Sequence, residues 1–167
     1  MSSTAATTVI GPGFLDRILE AYRIMHNGAF DPSDWPRSPS AYTPTQHFCR
    51  RYRDPERYLT GERINAAITD GDLRPAIGRN AAFVHREAGV AFLFIVDRKQ
   101  TGLKIVTAWP FLANKGVACE SLVWLPEDIE RIEHRSARHL TKPEVRETLS
   151  GLFDVSLPRN PDAVSFS

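Results

Sequence analysis

The sequence predicts an α+β protein in which N-terminal helices pack on a three- to four-stranded antiparallel meander, followed by two additional C-terminal helices. Three observations carry that prediction. Apolar residues recur at helical spacing as far as Thr69, the pattern beyond Gly78 changes to alternating or continuously apolar runs, and from Pro126 a charged helical pattern returns. At 167 residues the chain lies near the commonest domain size, long enough to hide roughly 70% of its unfolded surface.

The first helix is expected over Pro12 to His26, where Phe14, Ile18, Leu19, Tyr22 and Met25 form one stripe and Asn27-Gly28 is the stop. Phe30 to Pro44 carries Pro32, Pro36, Pro39 and Pro44, which sustain neither a helix nor a central strand, so it reads as a linker. Thr45 to Tyr52 forms a short helix, ended at Asp54-Pro55 because proline disfavours helix in the residue before it. Another runs from about Thr60 to Thr69, with Leu59, Ile64, Ala67 and Ile68 on its buried face and Asp70-Gly71-Asp72 as its stop, with a glycine able to take the left-handed conformation. Three strands follow, Ala81 to Arg86, Val90 to Val96 and Leu103 to Trp109, joined by connections short enough for hairpins. The wholly apolar middle strand belongs at the centre, buried on both faces. Val117 to Trp124 offers a fourth strand, Pro126 to Leu140 a charged helix, and Thr141-Lys142-Pro143-Glu144 a capping box opening a last helix to Phe153. The chain thus divides into an N-terminal helix and Pro-rich linker (1–44), a helix-plus-sheet core (45–124) and a C-terminal helical extension and tail (125–167).

A composition of 42% hydrophobic and 25% charged residues argues against global disorder. No apolar run approaches the roughly 20 residues of a membrane helix, so no membrane association is expected. Met-Ser-Ser-Thr-Ala-Ala-Thr-Thr lacks the pattern of a secretory signal, which points to the cytoplasm. Cys49 and Cys119 build neither a disulfide framework nor a zinc knuckle, though a single bridge stays open. The net charge is +1, yet from His47 to Pro110 eleven Lys and Arg stand against seven Asp and Glu. That local excess hints at an anionic ligand; a solvated surface with scattered ion pairs gives the same count.

GxGxxG, GxxxxGK[ST], HExxH and GxSxG are all absent, so dinucleotide, P-loop, zincin and hydrolase-elbow sites lack their anchor. His134 and His139 lie five apart on a helix and face different ways, so no metal ligand set and no cofactor is expected. What remains is acid and base chemistry around histidine. His47 precedes Arg50 and Arg51 by three and four residues, which puts all three on one helical face; a helix start with solvated arginines is the alternative. His85 shares a strand face with Phe83, with Val84 and Arg86 on the other, and serves either as a catalytic group or as a half-buried histidine with a backbone partner. Thr107 shares a strand face with Ile105 and Trp109 and is either a site residue or simply a β-former, and Arg79, in the loop before the sheet, either reaches over the site or is solvated.

The stretch His47 to Pro110, somewhat over a third of the chain, resembles the toxin ribonucleases of the barnase, EndoU, colicin and RelE superfamily, particularly its polymorphic-toxin domains. The resemblance rests on the helix-borne His47, on Glu62-Arg63-Ile64-Asn65-Ala66-Ala67-Ile68-Thr69-Asp70-Gly71, and on the closing hairpin from Val96 to Pro110 with its Thr101-Gly102 turn and Ile105-Val106-Thr107 strand. It implies a metal-independent endoribonuclease that cleaves RNA by 2′-hydroxyl attack to a cyclic phosphate. By position, His47 would be base or acid and Thr107 would contact the scissile phosphate, with His85 as a further catalytic candidate. Arg50, Arg51, Arg79 and Lys104 are the phosphate-binding candidates on chemical grounds. RNA, tRNA or mRNA, would be the substrate and an immunity or antitoxin protein the partner. The sequence departs from the family in lacking a well-marked strand Glu paired with a His. The alternative is a noncatalytic module on the same fold that binds protein or nucleic acid, since fold does not fix function.

Overall fold

An all-apolar strand such as Val90 to Val96 is stable only if both of its faces are covered, and both are. The structure, a computed structural model, describes residues 14–139. Its strands are β1 (Thr43–Pro44), β2 (Asp72–Pro75), β3 (Ala81–Glu87), β4 (Val90–Lys99) and β5 (Gly102–Leu112), in the spatial order β1-β5-β4-β3-β2. The described α-helices are α1 (Phe14–Ile24), α2 (Gln46–Tyr52), α3 (Gly61–Asp70), α4 (Lys115–Glu120) and α5 (Pro126–His139). No described helix is long and apolar enough to cross a membrane.

The α+β class stands, and the expected meander β3-β4-β5 forms the middle of the sheet. Around it the sheet is larger than expected, five-stranded and mixed, because β2 pairs antiparallel with β3 and β1 pairs parallel with β5. These two edge strands were hidden for a simple reason. Two and four residues long, and each ending in proline, they are too short to show a period of two. The fourth strand expected at Val117 to Trp124 is instead α4 and a bent connection. Asn114 accepts a hydrogen bond from Val117 N at 3.1 Å and starts a helical turn, of which only Ala118 is buried. The helix expected after Thr141 lies outside the described residues.

Each face of the sheet has its own core. On one face, Phe48 of α2, Ala67 and Ile68 of α3 and Ile129 and Ile132 of α5 pack with Phe83, Phe92, Phe94, Ile105 and Leu112. On the other, Leu15, Ile18, Leu19 and Tyr22 of α1 pack with Ala82, Val84, Leu93 and Phe111. The Pro-rich stretch is laid down rather than free: Trp35 and Tyr42 are buried in the first core, and the Tyr42 hydroxyl donates to Pro36 O at 2.9 Å. Burial pushes the Tyr42 hydroxyl pKa up to about 12 against the pull of Arg98 and Arg37. Neither cysteine is bridged.

The hairpin between β3 and β4 is a tight two-residue turn in which Ala88 and Gly89 both take positive φ, 49° and 86°. Gly89 is also where the end of β5 and the start of α4 meet the turn. Its carbonyl accepts from Ala113 N and Asn114 N at 3.0 and 2.9 Å. At the other end of α5's packing, the buried Ser136 hydroxyl donates to Ile132 O and accepts from Leu112 N, closing the last ladder group of β5.

Candidate active site

Thr60 sets the site by starting α3. Its hydroxyl accepts from Arg63 N at 3.1 Å, and the buried Ala67 and Ile68 then hold the helix on the sheet, so that Arg63 reaches β3. There the guanidinium makes a two-pronged contact with Glu87, Nε to Oε1 at 3.1 Å and Nη2 to Oε2 at 2.7 Å, while Nη1 donates to Tyr58 O at 2.8 Å. Two aromatic faces hold it in place: the guanidinium carbon lies 4.8 Å from the centre of Phe92 and 5.0 Å from that of Trp124. Trp124 is itself fixed by donating from Nε1 to Ala88 O at 3.1 Å.

Glu87 holds a second group. His85, two residues earlier on the same strand and thus on the same face, places Nε2 3.2 Å from Glu87 Oε1 and stacks its ring on Phe92. His85 and Glu87 line an open pocket of about 310 Å³ with Thr60, Glu62, Arg63 and Ala66. The Arg63 hydrogen bonds hold the Glu87 carboxyl below its ordinary range; burial opposes them and His85 adds to them. An ionised Glu87 only accepts, so the shared proton belongs on His85 Nε2, leaving Nδ1 with the lone pair of a base. The group can therefore orient an imidazole and present a cation beside it, the elements of general acid and base catalysis on an anion.

The lowered Glu87 carboxyl gives a pH dependence. A carboxyl held below its ordinary value of 4.5 in the folded state stabilises the protein above that value, and the contribution is lost as pH falls through the folded value. Glu87→Gln is therefore expected to flatten the acid limb of the stability curve below about pH 5, measured by urea unfolding across pH, and an unchanged limb would contradict the pairing.

The other candidates lie elsewhere. His47 and Arg51 do meet on α2, as their spacing predicts, with Arg51 Nε donating to His47 Nε2 at 3.4 Å, and Arg50 is exposed beside them. Thr107 is on the opposite side of the sheet. Ile95 pairs with Thr107 but Val96 pairs with Ile105, so Val106 is a bulge that breaks the alternation and puts Thr107 with Trp109 on the α1 face, away from Ile105. The bulge carbonyl is satisfied by the Thr45 hydroxyl at 3.2 Å. His47 and Thr107 thus share no site, because α2 anchors its Phe48 in the core of the other face. Lys104 pairs in the ladder with Asp97, and Asp97 is five strand residues, roughly 17 Å, from Phe92, the cross-strand neighbour of His85. Arg79 lies before β3, beyond Ala81 and so also toward the end away from His85.

The central basic excess also resolves into parts. Arg86 pairs with Asp72, Lys99 with Asp97 and Arg63 with Glu87, and Arg57 and Arg98 donate to the backbone carbonyls of Ala108 and Asp34. Arg63 and Glu87 are the site residues that sequence reasoning passed over. Glu87 reads as the first residue of a turn and Arg63 as one charge on a helix; the His-x-Glu spacing at the end of a strand was the available signal. Among the described residues no three His, Cys, Asp or Glu are grouped to hold a metal ion.

No protein-family model matches the sequence, and comparisons with curated proteins and with solved structures find no match.

Proposed function

We propose that the protein is a metal-independent endoribonuclease of toxin type whose chemistry lies at His85, Glu87 and Arg63. One observation carries the reading: an imidazole tied to a carboxylate that is itself clasped by an arginine, at the wall of an open pocket. In the proposed step His85, oriented by Glu87, takes the proton of a ribose 2′-hydroxyl, whose oxygen attacks the neighbouring phosphorus. Arg63 offsets the charge gathering on the phosphorane. The P–O5′ bond breaks, water supplies the proton to the leaving oxygen, and a 2′,3′-cyclic phosphate remains. The α2 face on which the exposed Arg50 stands beside the half-buried His47 and Arg51 is proposed to hold flanking phosphates. On this reading the substrate is tRNA or mRNA in the cytoplasm, and an immunity or antitoxin protein is the partner.

The test is an RNA oligonucleotide beside the same sequence carrying 2′-deoxyribose throughout, both in EDTA. Cleavage of the ribose strand alone, with cyclic phosphate ends, is expected. An intact ribose strand after incubation with folded protein would overturn the proposal.

A second reading has an observation of its own. All three guanidinium nitrogens of Arg63 already have protein partners, which is what a strut between α3 and β3 requires. On that reading the protein is a noncatalytic module binding protein or nucleic acid, and it turns over no RNA.

A further inference from the structure

The connection between α4 and α5 exposes side chains that water does not favour. Leu122 is fully exposed, and Val117, Val123 and Leu125 are 47%, 51% and 59% exposed; the other exposed large aliphatics among the described residues, Ile24 and Ile77, are less so and lie elsewhere in the chain. Next to this run is a pocket of about 430 Å³ lined by the apolar Trp124, Pro126 and Ile129 and by Cys119, Lys115, Glu130 and Glu133. Glu120, Glu127 and Glu130, around the same run, are exposed and make no ion pair among the described residues, while Glu133 is paired with Lys115.

We infer that this patch is a docking surface for a protein segment with aliphatic residues flanked by lysine or arginine. The charge selects the occupant. Exposed Leu and Val next to a pocket lined by a tryptophan suit an aliphatic side chain, and unpaired carboxylates around it favour a cationic border. A second copy of this chain would bring the same carboxylates face to face, and an anionic lipid surface would be repelled by them. The surface shares no lining residue with the His85 pocket, although Trp124, which lines it, also covers the Arg63 guanidinium.

The experiment uses the full chain and two labelled amphipathic helical peptides, one of leucine and lysine and one with glutamate in place of every lysine, read by fluorescence anisotropy at physiological salt. The lysine peptide is expected to bind and the glutamate peptide not to. Leu122→Ser with Leu125→Ser, and separately Glu127→Gln with Glu130→Gln, are each expected to weaken binding roughly tenfold or more, both variants keeping the wild-type circular dichroism spectrum because all four positions are exposed. Equal binding of the two peptides, no binding, or binding untouched by either pair of substitutions would overturn the inference. So would a dimer that the Leu122→Ser and Leu125→Ser pair dissociates, or capture by phosphatidylserine vesicles in preference to the lysine peptide; those outcomes assign the patch to a second copy or to a lipid surface.

Discussion

Gly89→Val is expected to lower stability by at least about 3 kcal/mol, enough to unfold much of a marginally stable domain. Two effects combine there. Gly89 has φ of +86°, which a β-branched residue adopts only with strain, and a Cβ added to it would lie 2.4 Å from Asn114 O and 2.6 Å from Ala118 N. Both contacts are backbone atoms of the segment that leaves β5, so no side chain can swing aside to relieve them. Gly28→Ala supplies the comparison, since Gly28 has φ of +79° but nothing within 4 Å of its added Cβ. Strain alone should lower stability there by about 1 kcal/mol. Urea unfolding of both variants separates the two effects; equal losses would mean that the turn does not meet α4 as described.

Arg63→Ala is the second large effect, expected at about 2–3 kcal/mol, because truncation does more than remove an ion pair. It leaves Glu87, with 30% of its side chain exposed, without its two-pronged partner, strips Tyr58 O of a donor and uncovers the faces of Phe92 and Trp124. Arg63→Met with Glu87→Leu should recover much of the loss, since apolar residues of similar size stand well in a space bordered by Phe92 and Trp124. The double-mutant cycle measures the coupling directly. A double variant no more stable than Arg63→Ala would show that the pair's environment, not its charge, is what holds α3 to β3. Activity then separates the two functional readings. A strut predicts that the recovered double variant behaves like wild type in whatever the protein binds, and a catalytic arginine predicts that it folds and does not cleave.

The sequence was most readable where local chemistry decides the structure. Thr60 caps α3 as expected, and the helix found, Gly61–Asp70, is displaced by one residue from the one expected; Gly71 ends it in an extended conformation, φ −75°, rather than a left-handed one, its lack of a side chain serving the close approach of Ala67 O and Val84 O. The strand β4 was readable because seven consecutive apolar residues need two covered faces. Elements decided by a partner were not readable. Residues Val117 to Trp124 look like a strand by composition, but their backbone is fixed by Gly89 and by Asn114, and the result is a helical turn. The candidate site divides the same way. Placing His85 with Phe83 needed only the period of a strand, and the two do pack on one face. Placing Thr107 failed at a bulge, which inserts one residue and inverts every face before or after it. Arg63 meets Glu87 across 24 residues, and no local pattern announces a helix side chain crossing to a strand end.

The claim that the His85 pocket is an active site stands or falls on cleavage of one RNA oligonucleotide in EDTA by wild type and by His85→Ala, with His47→Ala alongside and all three shown to be folded. The account predicts that His85→Ala loses roughly 100-fold or more of the rate, in line with removal of a positioned general base, while His47→Ala, whose side chain is on α2 beside Arg51, loses far less. Equal rates for wild type and His85→Ala, or no cleavage by wild type at all, would contradict it.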